Sequence, residues 1–468
     1  MARIVIVGAG ISGLALAFGL RRLVPDADIT ILESASRPGG KIWTERAGGF
    51  QVEIGPNGFL DNKSSTVQLC RDLGLENELI PASDSSRRNR FLFLNEQLRA
   101  LPTGPLSLLT SPLLTWRGKF GLLSECIRPS LRNSVDESVA QFAERRAGKE
   151  VANVFADALA TGIHGGDPQL LSLKAAFPRV AEMEAKHGSV IRGFLAAARQ
   201  RRKEARTRGE APQPARMWSF RAGLCRLMEA LTEQLAQAPV LGISVRGIAR
   251  TQNGEPGWII RGPGQESWDT DVVVLTCPAP EQARILREFD PALAEEIAAI
   301  PYNRIAVVAL GYRKSDVPNV PDGFGYIAPQ QSRRDLLGVQ WCSAIFTERA
   351  PQGHVMWRAL CGGWHRPEVV DWDDNRLLTA VRDELRLAQG VTASPVFHHI
   401  HRWPVAIPQY HVGHLQRLAR IESQLTRHPG LFLAGNAYHG VALNDCTEQA
   451  DILAGRIRAF LALPASGG

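Results

Sequence analysis

The spacing of hydrophobic residues divides the start of the chain into a strand, a turn, a helix and a second strand. The run Arg3–Val7 is almost wholly apolar, which is typical of a strand covered on both faces. A glycine-rich turn and an apolar helix follow, and DITILE at 28–33 predicts the second strand. Similar apolar runs at 271–280 and 431–435 predict two further strands late in the chain.

The turn after the first strand has a glycine spacing that favours a bound dinucleotide. Gly8, Gly10 and Gly13 follow the pattern G-x-G-x-x-G, which allows a tight turn, close approach of a pyrophosphate and close helix–strand contact. Glu33 ends the second strand, twenty residues after Gly13, where a carboxylate accepts hydrogen bonds from ribose hydroxyls. Strand, glycines, helix, strand and acid together predict a dinucleotide site, although FAD and NAD(P) both fit this pattern.

Later segments show different patterns. Residues 243–262 alternate around Asn253 and Gly254 and predict a β-hairpin. Residues 93–205 predict mainly helices, with Ser134 as an N-cap and Glu137 completing a capping box. Residues 301–414 are rich in strand patterns. A chain of 468 residues is expected to form two or three domains.

Composition excludes several classes of protein. Hydrophobic residues make up 44% and charged residues 22%, as in ordinary globular proteins. The net charge of +7 suits an anionic ligand or membrane surface, but it is too diffuse for nucleic acid. The dense basic run at 199–214 is interpreted as a solvated connector. Seven scattered cysteines without a C-x-x-C pair indicate a reducing, cytoplasmic compartment, and no apolar stretch is long enough to span a membrane.

No metal site or acid–base pair stands out. HHIH at 398–401 is the nearest approach to a metal cluster. Strand alternation is expected to place His399 on the opposite face from the other two histidines, which disfavours a metal.

The residues after Glu33 distinguish between the dinucleotides by resemblance. The spacing E-x-x-x-R-x-G-G, formed by Glu33, Arg37, Gly39 and Gly40, resembles the flavin-containing amine oxidase superfamily. Phrases at 88–105, 159–178, 322–329, 406–418 and 440–446 resemble the protoporphyrinogen oxidase family within it, over essentially the whole chain.

This resemblance implies an α/β fold with three domains and FAD as the cofactor. The implied domains are a Rossmann-like discontinuous FAD-binding domain at 1–92, 215–300 and 415–468, a helical membrane-binding domain at 93–205, and a mixed-sheet substrate domain at 301–414. A last helix starting near Asp445 would direct its N-terminus at the flavin ring. The residues expected at FAD are Gly8, Ala9, Gly10, Ile11, Ser12, Gly13, Glu33, Arg37, Gly40, Lys41, Gly55, Pro56, Asn57, Gly58, Val245, Asn436, Val441, Ala442 and Leu443.

The family reaction removes electrons from protoporphyrinogen IX in three two-electron steps, with hydride transfer from a meso carbon to flavin N5 and reoxidation by oxygen. Arg90 is expected to pair with a substrate propionate, because the guanidinium fork matches a carboxylate. Phe324, Ile327 and Leu360 are expected to form apolar walls, and Gly162 to leave room for the macrocycle. No protein side chain is assigned a catalytic role.

Several alternatives remain open. The substrate could be coproporphyrinogen III, the enzyme could be an amine oxidase, or the fold could be a flavin-free binding protein. The proline-broken apolar stretch at 101–123 is consistent with peripheral membrane contact or with a buried loop. A homodimer is neither favoured nor excluded.

Overall fold

A computed structural model describes residues 1–130, 135–207, 215–251, 257–332 and 334–463, apart from the side chain of Pro105. The predicted N-cap Ser134 and the hairpin turn at Asn253 and Gly254 lie outside these residues. The capping box that the structure shows is formed by Ser138 and Gln141. The basic run is helical as far as Thr207 and largely exposed there, and its residues 208–214 lie outside the described ranges.

The strands, in chain order, are β1 (Arg3–Val7), β2 (Asp28–Glu33), β3 (Thr44–Ala47), β4 (Phe50–Glu53), β5 (Phe59–Leu60), β6 (Leu79–Pro81), β7 (Arg90–Leu94), β8 (Gln97–Ala100), β9 (Met217–Phe220), β10 (Val240–Leu241), β11 (Gly247–Arg250), β12 (Trp258–Arg261), β13 (Ser267–Thr270), β14 (Val272–Leu275), β15 (Ile305–Arg313), β16 (Gly325–Ile327), β17 (Leu336–Gln340), β18 (His354–Gly362), β19 (Phe397–Trp403) and β20 (Leu431–Leu433).

The helices are α1 (Ile11–Leu23), α2 (Ser65–Asp72), α3 (Asp84–Arg88), α4 (Pro105–Thr110), α5 (Trp116–Leu123), α6 (Val139–Ala147), α7 (Lys149–Val151), α8 (Asp157–His164), α9 (Leu173–Ala176), α10 (Pro178–His187), α11 (Val190–Thr207), α12 (Cys225–Glu233), α13 (Ala279–Leu286), α14 (Pro291–Ala298), α15 (Cys342–Ile345), α16 (Asp374–Gln389), α17 (His414–Leu425) and α18 (Leu443–Leu461).

A five-stranded parallel sheet unites segments that are far apart in sequence. Its order is β10-β2-β1-β14-β20, so β1 lies between β2 and β14 and Val5 pairs with Thr30 on one side and Val273 on the other. The strands predicted at 3–7, 28–33, 271–280 and 431–435 are therefore confirmed. Helices α1, α12 and α18 cover one face, and the sheet β11-β12-β13 with α13 and α14 covers the other. Burial on both faces explains the unbroken apolar runs.

The second large sheet has seven strands in the order β19-β15-β18-β17-β16-β7-β8. Helix α16 packs on one face through Leu377, Val381 and Leu385. The expected domain boundary between residues 92 and 93 falls inside β7, which pairs in parallel with β16. Strand pairing thus places β7 and β8 in the sheet of the substrate segment, although residues 101–205 are mainly helical as predicted.

Strand alternation corrects one expectation about the histidines. His399 pairs with Ala309 and His401 with Val307, so these two histidines share a face of the sheet and His398 lies on the other. The predicted placement of His399 was wrong because residues two apart, rather than three apart, face the same side. No cluster of three or more metal-ligating side chains occurs in the described part of the chain.

Candidate active site

The glycine loop between β1 and α1 leaves space for a phosphate group. A Cβ atom on Gly13 would lie 2.0 Å from the carbonyl oxygen of Gly8, so only glycine fits there. A Cβ on Gly10 would meet nothing within 4 Å, and this open position directly precedes the N-terminus of α1. Ala9, Ile11 and Ser12 complete the loop. Free N–H groups and open space at a helix N-terminus suit a pyrophosphate.

Glu33 lies directly beside this loop. Its buried carboxylate accepts hydrogen bonds from the backbone N–H of Ala9 at 2.7 Å and of Ala35 at 2.8 Å. The side chain therefore fixes the glycine loop. It also lies at the end of β2, where the ribose of the dinucleotide is expected.

A second loop crosses the first. The N–H of Gly39 donates to the carbonyl of Ala9 at 2.8 Å, and a Cβ on Gly40 would lie 3.3 Å from the Cα of Gly10. Arg37 stacks over Trp43, 4.2 Å from the ring centroid. The expected partners of the pyrophosphate thus meet from both sides.

Lys41 is a largely buried cation in the same loop. Its Nζ donates to the carbonyl of Ala406 at 2.5 Å and lies 5.4 Å from the Tyr302 ring centroid. Burial lowers the pKa of Lys41 to about 8, and the nearby Cys446 thiol opposes this shift. The ammonium group is therefore easily neutralised and sensitive to a neighbouring anion.

The segment Gly55–Gly58 lies against Lys41. A Cβ on Gly55 would come 1.8 Å from the Lys41 carbonyl oxygen. Asn57, which follows Pro56, is 4% exposed, and neither polar atom of its side-chain amide has a hydrogen-bond partner. A buried amide without partners is costly, so a ligand that supplies them fits this position.

Val245 and the C-terminal loop complete the expected cofactor residues. Val245 is buried, and its carbonyl accepts from Arg284 at 2.8 Å. The carbonyl of Asn436 accepts from the Tyr410 hydroxyl at 2.5 Å. Val441, Ala442 and Leu443 lead into α18, whose first turn is capped by Asp445 accepting the Ala442 N–H at 3.0 Å. The predicted helix start near Asp445 is confirmed.

Two parallel rows of residues on the seven-stranded sheet carry most of the expected substrate residues. The first row, across β7, β16, β17 and β18, is Arg90, Gly325, Gln340 and Arg358. The second, two residues along each strand, is Leu92, Ile327, Gly338 and Leu360. Because residues two apart face the same side, both rows lie on one face, opposite to α16.

The expected substrate residues come together on this face. Arg90 is exposed and lies 4.7 Å over the Phe324 ring, with no ion pair to any carboxylate among the described residues. Gly162 of α8 meets Ile327, since a Cβ there would come 2.6 Å from the Ile327 Cδ1. Leu360 packs against the apolar cluster that contains Ala406, whose carbonyl accepts from Lys41. The apolar row therefore runs from Leu92, two residues after Arg90, towards the loops expected at the cofactor.

Sequence reasoning missed three side chains of this region. Arg358, Tyr410 and Lys63 each bind a loop expected at the cofactor: Arg358 binds the carbonyl of Gly55, Tyr410 that of Asn436, and Lys63 the capping Asp445. Their partners are 303, 26 and 382 residues away in sequence. A local motif could not have revealed them.

Comparison with known proteins agrees with this geometry. The family model for flavin containing amine oxidoreductase matches residues 11–458. Protoporphyrinogen oxidase 1 from chloroplasts of Spinacia oleracea is 33% identical over 98% of this chain and 84% of its own length. Coproporphyrinogen III oxidase from Bacillus subtilis (strain 168) is 29% identical over 95% of this chain and 96% of its own.

A solved structure gives the same result. The crystal structure of a provisionally named protoporphyrinogen oxidase from Exiguobacterium sp. 255-15 superposes with a TM-score of 0.84 at 26% identity, covering 98% of this chain and 99% of that one. FAD is the cofactor of the family, and the open Gly10 position and the partnerless Asn57 amide fit it. The chain therefore belongs to the flavin containing amine oxidoreductases and, within them, to the protoporphyrinogen oxidase family, which includes relatives named for coproporphyrinogen III.

Proposed function

We propose that this oxidoreductase converts a porphyrinogen into the porphyrin, with protoporphyrinogen IX as the first candidate and oxygen as the final electron acceptor. The observation that carries the proposal is Arg90 two residues before Leu92, the first member of an apolar row on the sheet face that leads to the cofactor loops. A porphyrinogen has the matching chemistry, since its macrocycle is large and apolar and its propionates are anionic.

The side chains of the chain bind and orient this substrate. Arg90 donates parallel hydrogen bonds to one propionate, and its stacking on Phe324 holds the guanidinium plane. Ile327 and Leu360 contact the pyrrole rings and exclude water. Gly162 lets helix α8 approach the sheet closely enough to confine the macrocycle.

The chemistry of oxidation is that of FAD, which accepts two electrons at a time from the substrate when bound. Around it, the chain holds the pyrophosphate at the glycine loop and offers the Asn57 amide to the bound molecules. Lys41 supplies a positive charge. The pKa of its ammonium group, about 8, would rise beside an anion.

Coproporphyrinogen III is the second candidate, and the relatives support it to a similar degree. The relative named for coproporphyrinogen is 29% identical and the one named for protoporphyrinogen 33%, over similar shares of the chain. The four propionates of coproporphyrinogen would engage more cations than Arg90 alone.

The test is porphyrin fluorescence under air, with protoporphyrinogen IX and coproporphyrinogen III compared side by side against a blank without enzyme. Faster turnover of protoporphyrinogen supports the first candidate, and faster turnover of coproporphyrinogen supports the second. A yellow protein that oxidises neither would refute both and favour an amine oxidase.

The role of Arg90 has its own test. Losing charge-assisted hydrogen bonds of about 1.5–3 kcal/mol in Arg90→Ala is expected to raise KM roughly tenfold or more. FAD content should not change. Arg88→Ala is the matched control, since Arg88 is an exposed neighbour on α3 whose bond is local, to the Asp84 carbonyl. An unchanged KM in Arg90→Ala would remove Arg90 from the substrate site.

We also propose peripheral membrane contact through α4, α5 and the turn after them. Leu106, Trp116, Phe120 and Ile127 are 76%, 73%, 76% and 80% exposed, while Leu113 and Leu114 of the same stretch are buried in a core cluster. None of the helices in the described ranges is both long and apolar enough to cross a bilayer. Short helices that expose Trp, Phe and Leu beside Arg117 suit the interface between headgroups and acyl chains.

Vesicle flotation tests this contact. Trp116→Ser combined with Phe120→Ser is expected to reduce co-flotation with anionic vesicles, while the matched pair Leu387→Ser and Val396→Ser, partly exposed apolar residues in the substrate segment, should not. Equal flotation of both double variants would refute the proposed membrane face.

A further inference from the structure

A buried arginine joins the substrate sheet to the loop expected at the flavin ring. Arg358 lies in the middle of β18 and is 2% exposed. Its Nη1 donates to the carbonyl of Glu53 at 2.5 Å and to the carbonyl of Gly55 at 2.7 Å, while its Nη2 donates to Gln340 Oε1 at 2.6 Å. The guanidinium therefore binds neutral acceptors and fixes the backbone of this loop from behind.

The charge of Arg358 is not neutralised by an ion pair. Within the described ranges, no carboxylate forms a salt bridge with it, and its Nε has no hydrogen-bond partner. The nearest buried acid is Glu53, which pairs at 3.4 Å with a second buried cation, Arg349. Glu53 is also saturated by the N–H of Leu224 and the hydroxyl of Thr44. Glu53 thus faces two buried arginines and forms an ion pair with only one of them, Arg349.

A buried cation without a counter-charge is costly, and burial lowers the pKa of Arg358 accordingly. Such a cost is tolerated where an anion arrives during function. The loop held by Arg358 is the one that lies against Lys41 and carries the partnerless Asn57 amide. The charge thus lies directly behind the wall at which the flavin ring is expected.

We propose that Arg358 is a positioning residue for the flavin, which fixes the Gly55 wall and places a permanent positive charge behind the ring, favouring the reduced form. The electrons come from the porphyrinogen, so the inference rests on the proposed function for its reductant. A flavin that has taken up two electrons and one proton carries one more negative charge than before. An adjacent fixed cation stabilises that form over the oxidised one.

Arg358 and Arg90 have separate roles on the same sheet face. They belong to one row and are three strands apart, about 14 Å at roughly 4.8 Å for each strand. Arg90 is exposed and binds an incoming carboxylate, whereas Arg358 is buried and acts through the loop.

The test is the midpoint potential of the bound flavin, measured anaerobically against a redox dye of known potential. Gln340→Glu places a carboxylate against the Arg358 Nη2 and neutralises its charge while keeping every backbone contact. Arg358→Met removes the charge altogether. Each variant is expected to shift the reduction equilibrium at least tenfold towards oxidised flavin, about 30 mV for a two-electron couple.

Gln340→Met is the matched control, since it removes one hydrogen bond and leaves the charge of Arg358 intact. Its reduction equilibrium should differ from that of the wild type by less than threefold. Because Arg358→Met could fail to fold, Gln340→Glu decides the matter by itself. A Gln340→Glu protein with full FAD content and an unchanged potential would overturn the proposal, and so would an equal shift in Gln340→Met.

The potential is measured without substrate, so this result is independent of the proposed function. If the wild-type protein oxidises neither porphyrinogen, yet Gln340→Glu shows the expected shift, the proposed function is refuted and the role of Arg358 is supported.

Discussion

Replacing Glu33 by alanine is the sharpest test of the dinucleotide site, because one carboxylate holds two backbone N–H groups, of which that of Ala9 is buried. Its two oxygens accept from the N–H of Ala9 and of Ala35 at 2.7 and 2.8 Å. The first of these lies in the glycine loop and the second at the exit of β2. The same carboxylate is expected to accept from the ribose of FAD.

The size of the effect follows from these contacts. A buried N–H that loses its acceptor costs about 1–3 kcal/mol, so Glu33→Ala costs about that much at Ala9, whereas the N–H of the exposed Ala35 can bond water instead. In the variant, the binding of FAD must supply the free energy that orders the loop. The ribose has also lost its hydrogen bonds to the Glu33 carboxylate. With a tenfold change for about 1.4 kcal/mol, we expect the Kd for FAD to rise by roughly a hundredfold or more.

The assay has two parts. Flavin content is measured after gel filtration, and the apo-protein is titrated with FAD by quenching of flavin fluorescence. Glu33→Gln is the matched control, since its single carbonyl oxygen keeps one acceptor and should give an intermediate Kd. Thermal unfolding of the apo-protein reports the loss of loop contacts separately.

Two results would refute this reasoning. Unchanged flavin content and Kd would remove Glu33 from the site altogether. A lower Tm with an unchanged Kd would mean that Glu33 only stabilises the loop and that the ribose assignment is wrong.

Three further predictions address other parts of the molecule. Gly162→Ala is expected to raise KM several-fold with normal FAD content, because the new methyl group would come 2.6 Å from Ile327 Cδ1 and displace that side chain into the substrate space. An unchanged KM would place the macrocycle elsewhere. Arg146→Met is expected to lower the free energy of unfolding by about 3–5 kcal/mol in urea titrations, because it leaves the Glu125 carboxylate buried without its ion pair. A decrease in the free energy of unfolding below about 1 kcal/mol would contradict this prediction. In the apo-protein, the pKa of Lys41 lies at about 8 instead of 10.5, so between these pH values the unfolded chain binds a proton that the folded chain has lost, and the free energy of unfolding rises with pH. This rise from pH 8 to 9.5 should therefore be steeper in the wild type than in Lys41→Met. Equal slopes would argue against the lowered pKa.

The dinucleotide half of the site was readable from the sequence because its parts are local. Gly8, Gly10, Gly13 and Glu33 lie within one strand–helix–strand unit, and each residue type is required by backbone geometry or by hydrogen bonding to the cofactor. The apolar runs likewise predicted β1, β2, β14 and β20, since strands buried on both faces are rich in apolar residues.

The substrate half depended on which strands become neighbours, and periodicity does not encode that choice. Strand β7 was expected to end the first FAD segment, yet it pairs with β16, and this pairing aligns Arg90 with Arg358 across four strands. The error about His399 has a different, local cause: residues two apart in a strand face the same side, so His399 shares its face with His401 and not with His398.

The sequence by itself determined the dinucleotide site and the strands of the parallel sheet, because these rest on short motifs whose residues act on their immediate neighbours. Its resemblance to known proteins implied FAD and the family. Only the tertiary structure decided which distant groups complete the site. Arg358 reaches the Gly55 carbonyl across 303 residues, and a buried guanidinium that binds backbone carbonyls leaves no pattern along the chain. Such contacts depend on which surfaces meet in the folded protein, whereas a motif depends only on residues that are close together in the sequence.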